Sequence, residues 1–167
     1  MVDTTSGKLR GRRTSEVVSF LGVPYAQPPV GALRLRSPQP FRPKVGEFDA
    51  GTFGAASIQT LPPYVTWTYP KPATQSEDCL TLNVRAPSQQ AKAPVVVWLH
   101  GGAWRSGATS MPLMNGEALA RQGLVVITAN FRLGVLGMLS HPGLLDPDSG
   151  TQAVSYTHLT LPTNREV

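Results

Sequence analysis

Hydrophobic positions along this chain follow three regimes. Between residues 4 and 43 short alternating stretches are separated by turns. Residues 7–13 and 17–25 read as antiparallel strands joined near Thr14-Ser15. Gln27-Pro28-Pro29-Val30-Gly31 makes a rigid turn, and Leu33-Arg34-Leu35-Arg36 then alternates with period 2. Residues 45–76 are irregular, with Pro62, Pro63, Pro70 and Pro72 interleaved by Tyr64, Trp67 and Tyr69. These aromatics either line a ligand cleft or pack over a core, and the pattern fits both. From Ser76 the periodicity sharpens. Residues 79–85 alternate as a strand. Residues 95–99, Val-Val-Val-Trp-Leu, have the length and β-branching of a strand buried on both faces. A short helix is expected over residues 115–122, capped by Asn115 and followed by Gly123. Residues 124–129 form another buried strand. Strand, helix, strand at this spacing predicts a right-handed βαβ crossover, a parallel strand pair and an α/β fold. There are no internal repeats.

The first of these buried strands ends abruptly in His100-Gly101-Gly102-Ala103-Trp104. Glycines there let the backbone turn sharply and present bare N–H groups at the C-terminal edge of a sheet. Such groups can stabilise a developing oxyanion. A strand running into His-Gly-Gly-Gly or His-Gly-Gly-Ala is the oxyanion loop of many lipases and esterases. The same residues also suit a tight strand-to-loop turn with no catalytic role.

Composition narrows the alternatives. The 167 residues suffice for one domain with a real core, and 41% of them are apolar, as in ordinary globular proteins. The net charge of +5 is partly concentrated in Lys8, Arg10, Arg12 and Arg13. Small residues interrupt that cluster, so a solvated edge hairpin explains it better than an anionic partner. Neither nucleic acid nor membrane is expected as a partner. Cys79 is the single cysteine, so no intramolecular disulfide can form. No apolar leader precedes the first strand, and with the lone cysteine this favours a cytoplasmic location. His and Cys do not cluster at metal-ligand spacing, and no cofactor is expected. The glycines at 102 and 107 have phosphate-loop spacing, but Ala108 stands where the lysine must be.

Four segments carry a family resemblance. They are Phe20-Leu21-Gly22-Val23-Pro24-Tyr25-Ala26 with Pro28-Pro29-Val30-Gly31 and Leu33-Arg34; Ser76-Glu77-Asp78-Cys79-Leu80 with Leu82-Asn83-Val84; His100-Gly101-Gly102-Ala103-Trp104; and Asn130-Phe131-Arg132-Leu133-Gly134 with Gly137. In this order they resemble the type-B carboxylesterases, the cholinesterase-like branch of the α/β-hydrolase superfamily. The match is collinear from about residue 4 to 152. The resemblance implies the N-terminal part of an α/β-hydrolase fold, incomplete, with antiparallel strands leading into a mostly parallel central sheet. It implies ester hydrolysis through a serine acyl-enzyme, with small carboxylic esters as substrates. It assigns Gly101, Gly102 and Ala103 to the oxyanion-hole loop, and makes Arg34 and Glu77 a structural salt bridge. Ala103 replaces the commonest third glycine, and Phe131 stands where tyrosine is usual. In many secreted members the cysteine matching Cys79 closes a disulfide. Here its counterpart is Ser57, so that loop is not stapled.

The resemblance also shows what is missing. The family's nucleophile sits in Gly-x-Ser-x-Gly, followed by an acid and a histidine. No Gly-x-Ser-x-Gly occurs in the 167 residues. Of the three histidines, His100 borders the glycine loop and reads as structural, and His141 reads as a loop residue. His158 lies in a tail that departs from the family. A back-translation of residues 154–167 resembles a transposon adapter used in DNA sequencing libraries, Ala153 being ambiguous. Residues 1–153 are therefore expected to be the N-terminal portion of one carboxylesterase domain, and 154–167 a non-native tail. The 167-residue chain is expected to be inactive alone, with uncovered apolar faces on its strands. A non-catalytic adhesion or binding protein of the same family is the alternative, and a downstream Gly-x-Ser-x-Gly would separate the two.

Overall fold

The computed structural model describes residues 1–4, 7–42, 46–60, 72, 74–89, 92–139 and 141–144. The expected aromatic loop at Tyr64, Trp67 and Tyr69, and the adapter-like tail with His158, lie outside the described residues.

Two sheets form the framework. Strands β1 (Val2–Thr4), β2 (Gly7–Arg10) and β5 (Glu47–Asp49) make a three-stranded sheet in the order β1-β2-β5, with β1–β2 antiparallel and β2–β5 parallel. Strands β3 (Arg12–Arg13), β4 (Val17–Pro24), β6 (Thr81–Pro87), β7 (Val95–Leu99) and β8 (Val125–Ala129) make the central sheet. Its order is β3-β4-β6-β8-β7, antiparallel except for the parallel β7–β8 pair. That pair runs in register from Val95↔Val125 to Leu99↔Ala129, the parallel pair predicted from strand, helix, strand.

The sequence reading joined residues 7–13 into one strand of a hairpin with 17–25. The chain instead divides at Gly11. A Cβ at Gly11 would lie 2.3 Å from the Ser19 carbonyl oxygen and 2.6 Å from the Phe20 ring. Only glycine lets the chain pass so close, so β3 alone pairs with β4 while β2 turns away to the small sheet. Arg10 then bridges Glu47 at 2.9 Å and Asp49 at 3.4 Å, and Arg13 donates to the Ser88 carbonyl. Much of the basic cluster is thus engaged within the chain.

Leu33-Arg34-Leu35-Arg36 is not a strand. Gly31–Leu33 is a single 3-10 turn, and Leu35 adopts a left-handed φ of 59°. Turn chemistry from Pro28-Pro29-Val30-Gly31 overrides the period-2 alternation. The turn holds Arg34 against Glu77 in a two-pronged pair, with Nε–Oε2 at 2.5 Å and Nη2–Oε1 at 2.7 Å.

Helix α1 (Glu117–Arg121) is shorter than the expected 115–122, and its N-cap is Gly116 rather than Asn115. Asn115 closes the preceding 3-10 turn, and its side-chain oxygen accepts from the Glu117 N–H at 3.1 Å, two residues on. Gly123 closes it at φ 90°. The helix packs on β4, β6 and β8 and buries Ala120 completely. A second short helix, α2 (Val135–Met138), follows β8.

Strand β7 departs from its predicted burial. It is the edge of the central sheet among the described residues, and Val95, Trp98 and Leu99 are 58, 54 and 42% exposed. Its apolar run describes a strand made to be covered on both faces; the described residues supply one neighbour. Strand β8, flanked by β6 and β7, buries Val126, Thr128 and Ala129.

Candidate active site

The C-terminal ends of β7 and β8 face the same loop system. Residues 100–107 leave β7, and residues 130–134 leave β8. His100 is buried and stacks on Phe131, with ring centroids 4.4 Å apart and planes 13° from parallel. Trp104 meets the same Phe131 edge-on at 5.4 Å. The Gly134 N–H donates to the Trp104 carbonyl at 2.7 Å. Two strand ends adjacent in the sheet are thus welded by an aromatic trio and a backbone bond.

The glycine loop is tightly wound. Gly102 has φ 123°, Ala103 51°, Trp104 61° and Gly107 121°. The Gly102 carbonyl accepts from the N–H groups of Arg105 and Ser106 at 3.0 and 3.1 Å. A Cβ at Gly102 would lie 1.9 Å from the Ser106 carbonyl oxygen. Glycine is therefore demanded at 102 by both backbone angle and space. Among the described residues no acceptor takes the N–H of Gly102 or Ala103. N–H groups without an acceptor among the described residues are the kind of donor that oxyanion binding uses.

A pocket at this loop has a volume of about 340 Å³ and is lined by Leu99, His100, Gly101, Ala103, Trp104 and Phe131. The structure thus brings two of the three sequence-derived residues, Gly101 and Ala103, to its wall. Gly102 lies between them without lining it.

His100 has a structural task. Its Nδ1 lies 2.9 Å from the Gly101 carbonyl oxygen. A carbonyl only accepts, so Nδ1 carries the proton. Burial holds the imidazole pKa below its ordinary value, partly opposed by this hydrogen bond. His141 sits apart, with Nδ1 accepting from the Gly143 N–H within its own turn.

A second group of buried or half-buried polar side chains comes from the segments that adjoin β4, β6 and β8. Tyr25, Cys79 and Arg132 lie close enough to influence one another's charge. Burial raises the Tyr25 phenol, reinforced by Cys79 and opposed by Arg132. Burial pushes the Cys79 thiol up to about 11, against a hydrogen bond from Ser57. At neutral pH the thiol is protonated and unfit as a nucleophile. Burial also lowers the Arg132 guanidinium, with Cys79 and Tyr25 acting in the opposite sense. The Ser57 hydroxyl, which faces Cys79, also accepts from the Leu133 N–H at 3.0 Å. Ser57 therefore occupies the place next to Cys79 that the resemblance assigned it.

Sequence reasoning missed two residues here. Asn130 is buried and ties four segments together. Its N–H donates to the Thr81 carbonyl, its carbonyl accepts from the Tyr25 hydroxyl at 2.7 Å, its side-chain oxygen accepts from the Thr109 N–H at 2.9 Å, and its amide donates to the Ala55 carbonyl at 3.3 Å. Gln59 grips the far end of the glycine loop at Gly107. Asn130 opens a recognisable motif and so had a signal; Gln59 sits in an irregular stretch and had none. Among the described residues no group of three or more His, Cys, Asp or Glu could hold a metal, and no helix is long and apolar enough to cross a membrane.

A glycine loop at the end of β7 is held against the end of β8 by stacked rings and a backbone bond. The carboxylesterase family pattern matches residues 1–145. The chain is 43% identical over 143 residues to para-nitrobenzyl esterase of Bacillus subtilis (strain 168), covering 83% of this chain and 29% of that protein. It is 41% identical over 143 residues to fumonisin B1 esterase of Sphingopyxis macrogoltabida, covering 84 and 26% respectively. It is 37% identical over 160 residues to mouse cholinesterase, covering 89 and 26%. This chain therefore belongs to the carboxylesterase family, whose fold is the α/β-hydrolase, and its described residues form a sheet-rich N-terminal part of that fold. It spans less than a third of the length of these relatives.

Proposed function

We propose that this chain contributes the oxyanion-binding half of a serine carboxylesterase. The observation that carries the reading is the pair of consecutive N–H groups at Gly102 and Ala103 that no acceptor takes among the described residues, with Ala103 on the wall of the 340 Å³ pocket. In this reading a serine supplied by a Gly-x-Ser-x-Gly elsewhere in the whole protein attacks the ester carbonyl. The carbonyl oxygen becomes an oxyanion held by Gly102 and Ala103, with Gly101 setting their approach. Collapse expels the alcohol and leaves an acyl-serine, which water then hydrolyses. Each donor contributes about 2.7–4 kcal/mol to transition-state stabilisation. The relatives' names support carboxylic esters as the substrate class.

The 167 residues hold donors but no Gly-x-Ser-x-Gly, so the chain alone hydrolyses no ester. Sequencing the source DNA from the Asn130 codon onward, followed by assay of the encoded product on p-nitrophenyl esters, tests this. The reading requires a downstream Gly-x-Ser-x-Gly and turnover by the longer product only. A reading frame without that motif, or hydrolysis by residues 1–167 alone, overturns it.

A further inference from the structure

The glycine loop is closed on itself, and one side chain from outside holds the closure. Gly107 presses against the start of the loop. A Cβ there would lie 2.2 Å from His100 Nδ1 and 2.6 Å from the Gly101 carbonyl oxygen. Any displacement of Gly107 therefore moves His100 and Gly101, and with them the two N–H groups that follow. The Gln59 carboxamide engages both backbone groups of Gly107. Its Oε1 accepts from the Gly107 N–H at 2.7 Å, and its Nε2 donates to the Gly107 carbonyl at 2.8 Å. Nε2 donates again to the Ser57 carbonyl at 3.0 Å. The Gln59 backbone N–H is itself fixed by the Gln75 side-chain oxygen at 2.9 Å. The amide thus pairs with both backbone groups of one residue, as a neighbouring strand would. It docks the loop onto the segment whose Ser57 already holds the Leu133 N–H at the end of the neighbouring strand.

We propose that Gln59 is a positioning residue for catalysis: by clamping Gly107 it fixes where the N–H groups of Gly102 and Ala103 stand. This rests on the esterase reading above. The amide is required for its two-sided character. A carboxylate at 59 would accept from the Gly107 N–H but repel the carbonyls of Gly107 and Ser57. A protonated carboxyl would again offer a donor.

The test uses the full-length esterase that contains this chain, with p-nitrophenyl acetate as substrate and a trifluoromethyl ketone as a probe of oxyanion binding. Gln59→Glu is expected to lower kcat about tenfold to a hundredfold at pH 8, less than outright loss of a donor, while KM changes less than about twofold. Inhibition by the ketone weakens in parallel. The ratio of variant to parent kcat is expected to recover towards pH 5 as the new carboxyl gains its proton. Gln59→Ala shows the loss without the recovery. Unchanged kcat in both variants, or a pH-independent loss that follows the melting temperature alone, overturns the proposal. If the unsubstituted protein hydrolyses no ester, the esterase reading falls and this role falls with it. Amide hydrogen exchange over residues 100–107 identifies the failure: faster exchange in Gln59→Glu shows that the clamp exists without catalysis, and unchanged exchange shows that the clamp itself is absent.

Discussion

At the scale of single residues, neighbouring positions in the glycine loop make different demands. Gly102 must be glycine because a Cβ would overlap the Ser106 carbonyl. Ala103 has room for its methyl but pays for φ 51°, a left-handed conformation costing an L-residue about 1–2 kcal/mol. Gly102→Ala is expected to lower kcat of the complete esterase by at least about a hundredfold, the cost of losing one oxyanion donor. Ala103→Gly keeps the N–H and should preserve kcat within a few-fold. It should also raise stability by about 1 kcal/mol, the relief of strain exceeding the added freedom of the unfolded chain. Steady-state kinetics and urea melts check both; a less stable Ala103→Gly would refute the strain argument. His100 adds a pH dependence. Its folded pKa lies below the ordinary 6.5, so the unfolded chain takes the proton first as pH falls. The stability that this buried neutral imidazole confers is complete above about pH 6.5 and is lost as pH drops towards the depressed folded value. Melting temperature should therefore fall more steeply between pH 7 and 5 in the parent than in His100→Gln. Equal slopes would show that His100 is not the group being titrated.

At the scale of elements, β7 carries the clearest consequence. Val95, Trp98 and Leu99 are exposed on a strand whose outer edge is unpaired among the described residues, and Trp98 shares a groove with Leu113 and Leu119. Exposed apolar edge strands pair with one another in solution, and lysine on such an edge prevents it. The 167-residue chain is expected to self-associate with rising concentration, and Val95→Lys with Trp98→Lys to shift it towards monomer by sedimentation velocity. A parent chain that stays monomeric at all concentrations would refute this. The parallel β7–β8 pair and the end of α1 were legible in advance because periodicity and Gly123 are local signals; the start of α1 was not, since Gly116 rather than Asn115 is the cap. The exposure of β7 was not, because Val-Val-Val-Trp-Leu reports what the strand is built to touch. The division at Gly11 and the turn at Gly31–Leu33 were equally hidden. Each depends on a close approach or a backbone angle that alternation does not encode.

At the scale of the whole molecule, loops far apart in sequence converge at one end of the central sheet, joined largely by buried polar groups. Asn130 gathers the residue 25, 55, 81 and 109 segments. Gln59 ties the glycine loop to Ser57, and Ser57 ties Cys79 to the end of β8. Such side-chain-to-backbone bonds span many residues and have no period, which is why the glycine loop could be read from the sequence while its supports could not. The Ser57–Cys79 contact allows this convergence to be tested. Both side chains are buried and already within hydrogen-bonding reach, so Ser57→Cys should oxidise to a disulfide with Cys79. Closing a loop of about twenty residues restricts the unfolded chain by about 3 kcal/mol. Losing the Ser57 hydroxyl's bond to the Leu133 N–H offsets about 1 kcal/mol of that. The oxidised variant should thus gain about 2 kcal/mol in denaturant melts, and reduction should leave it slightly below the parent. Thiol titration decides the geometry: no free thiol after mild oxidation means that the two segments meet as described, whereas two titratable thiols would mean that they do not.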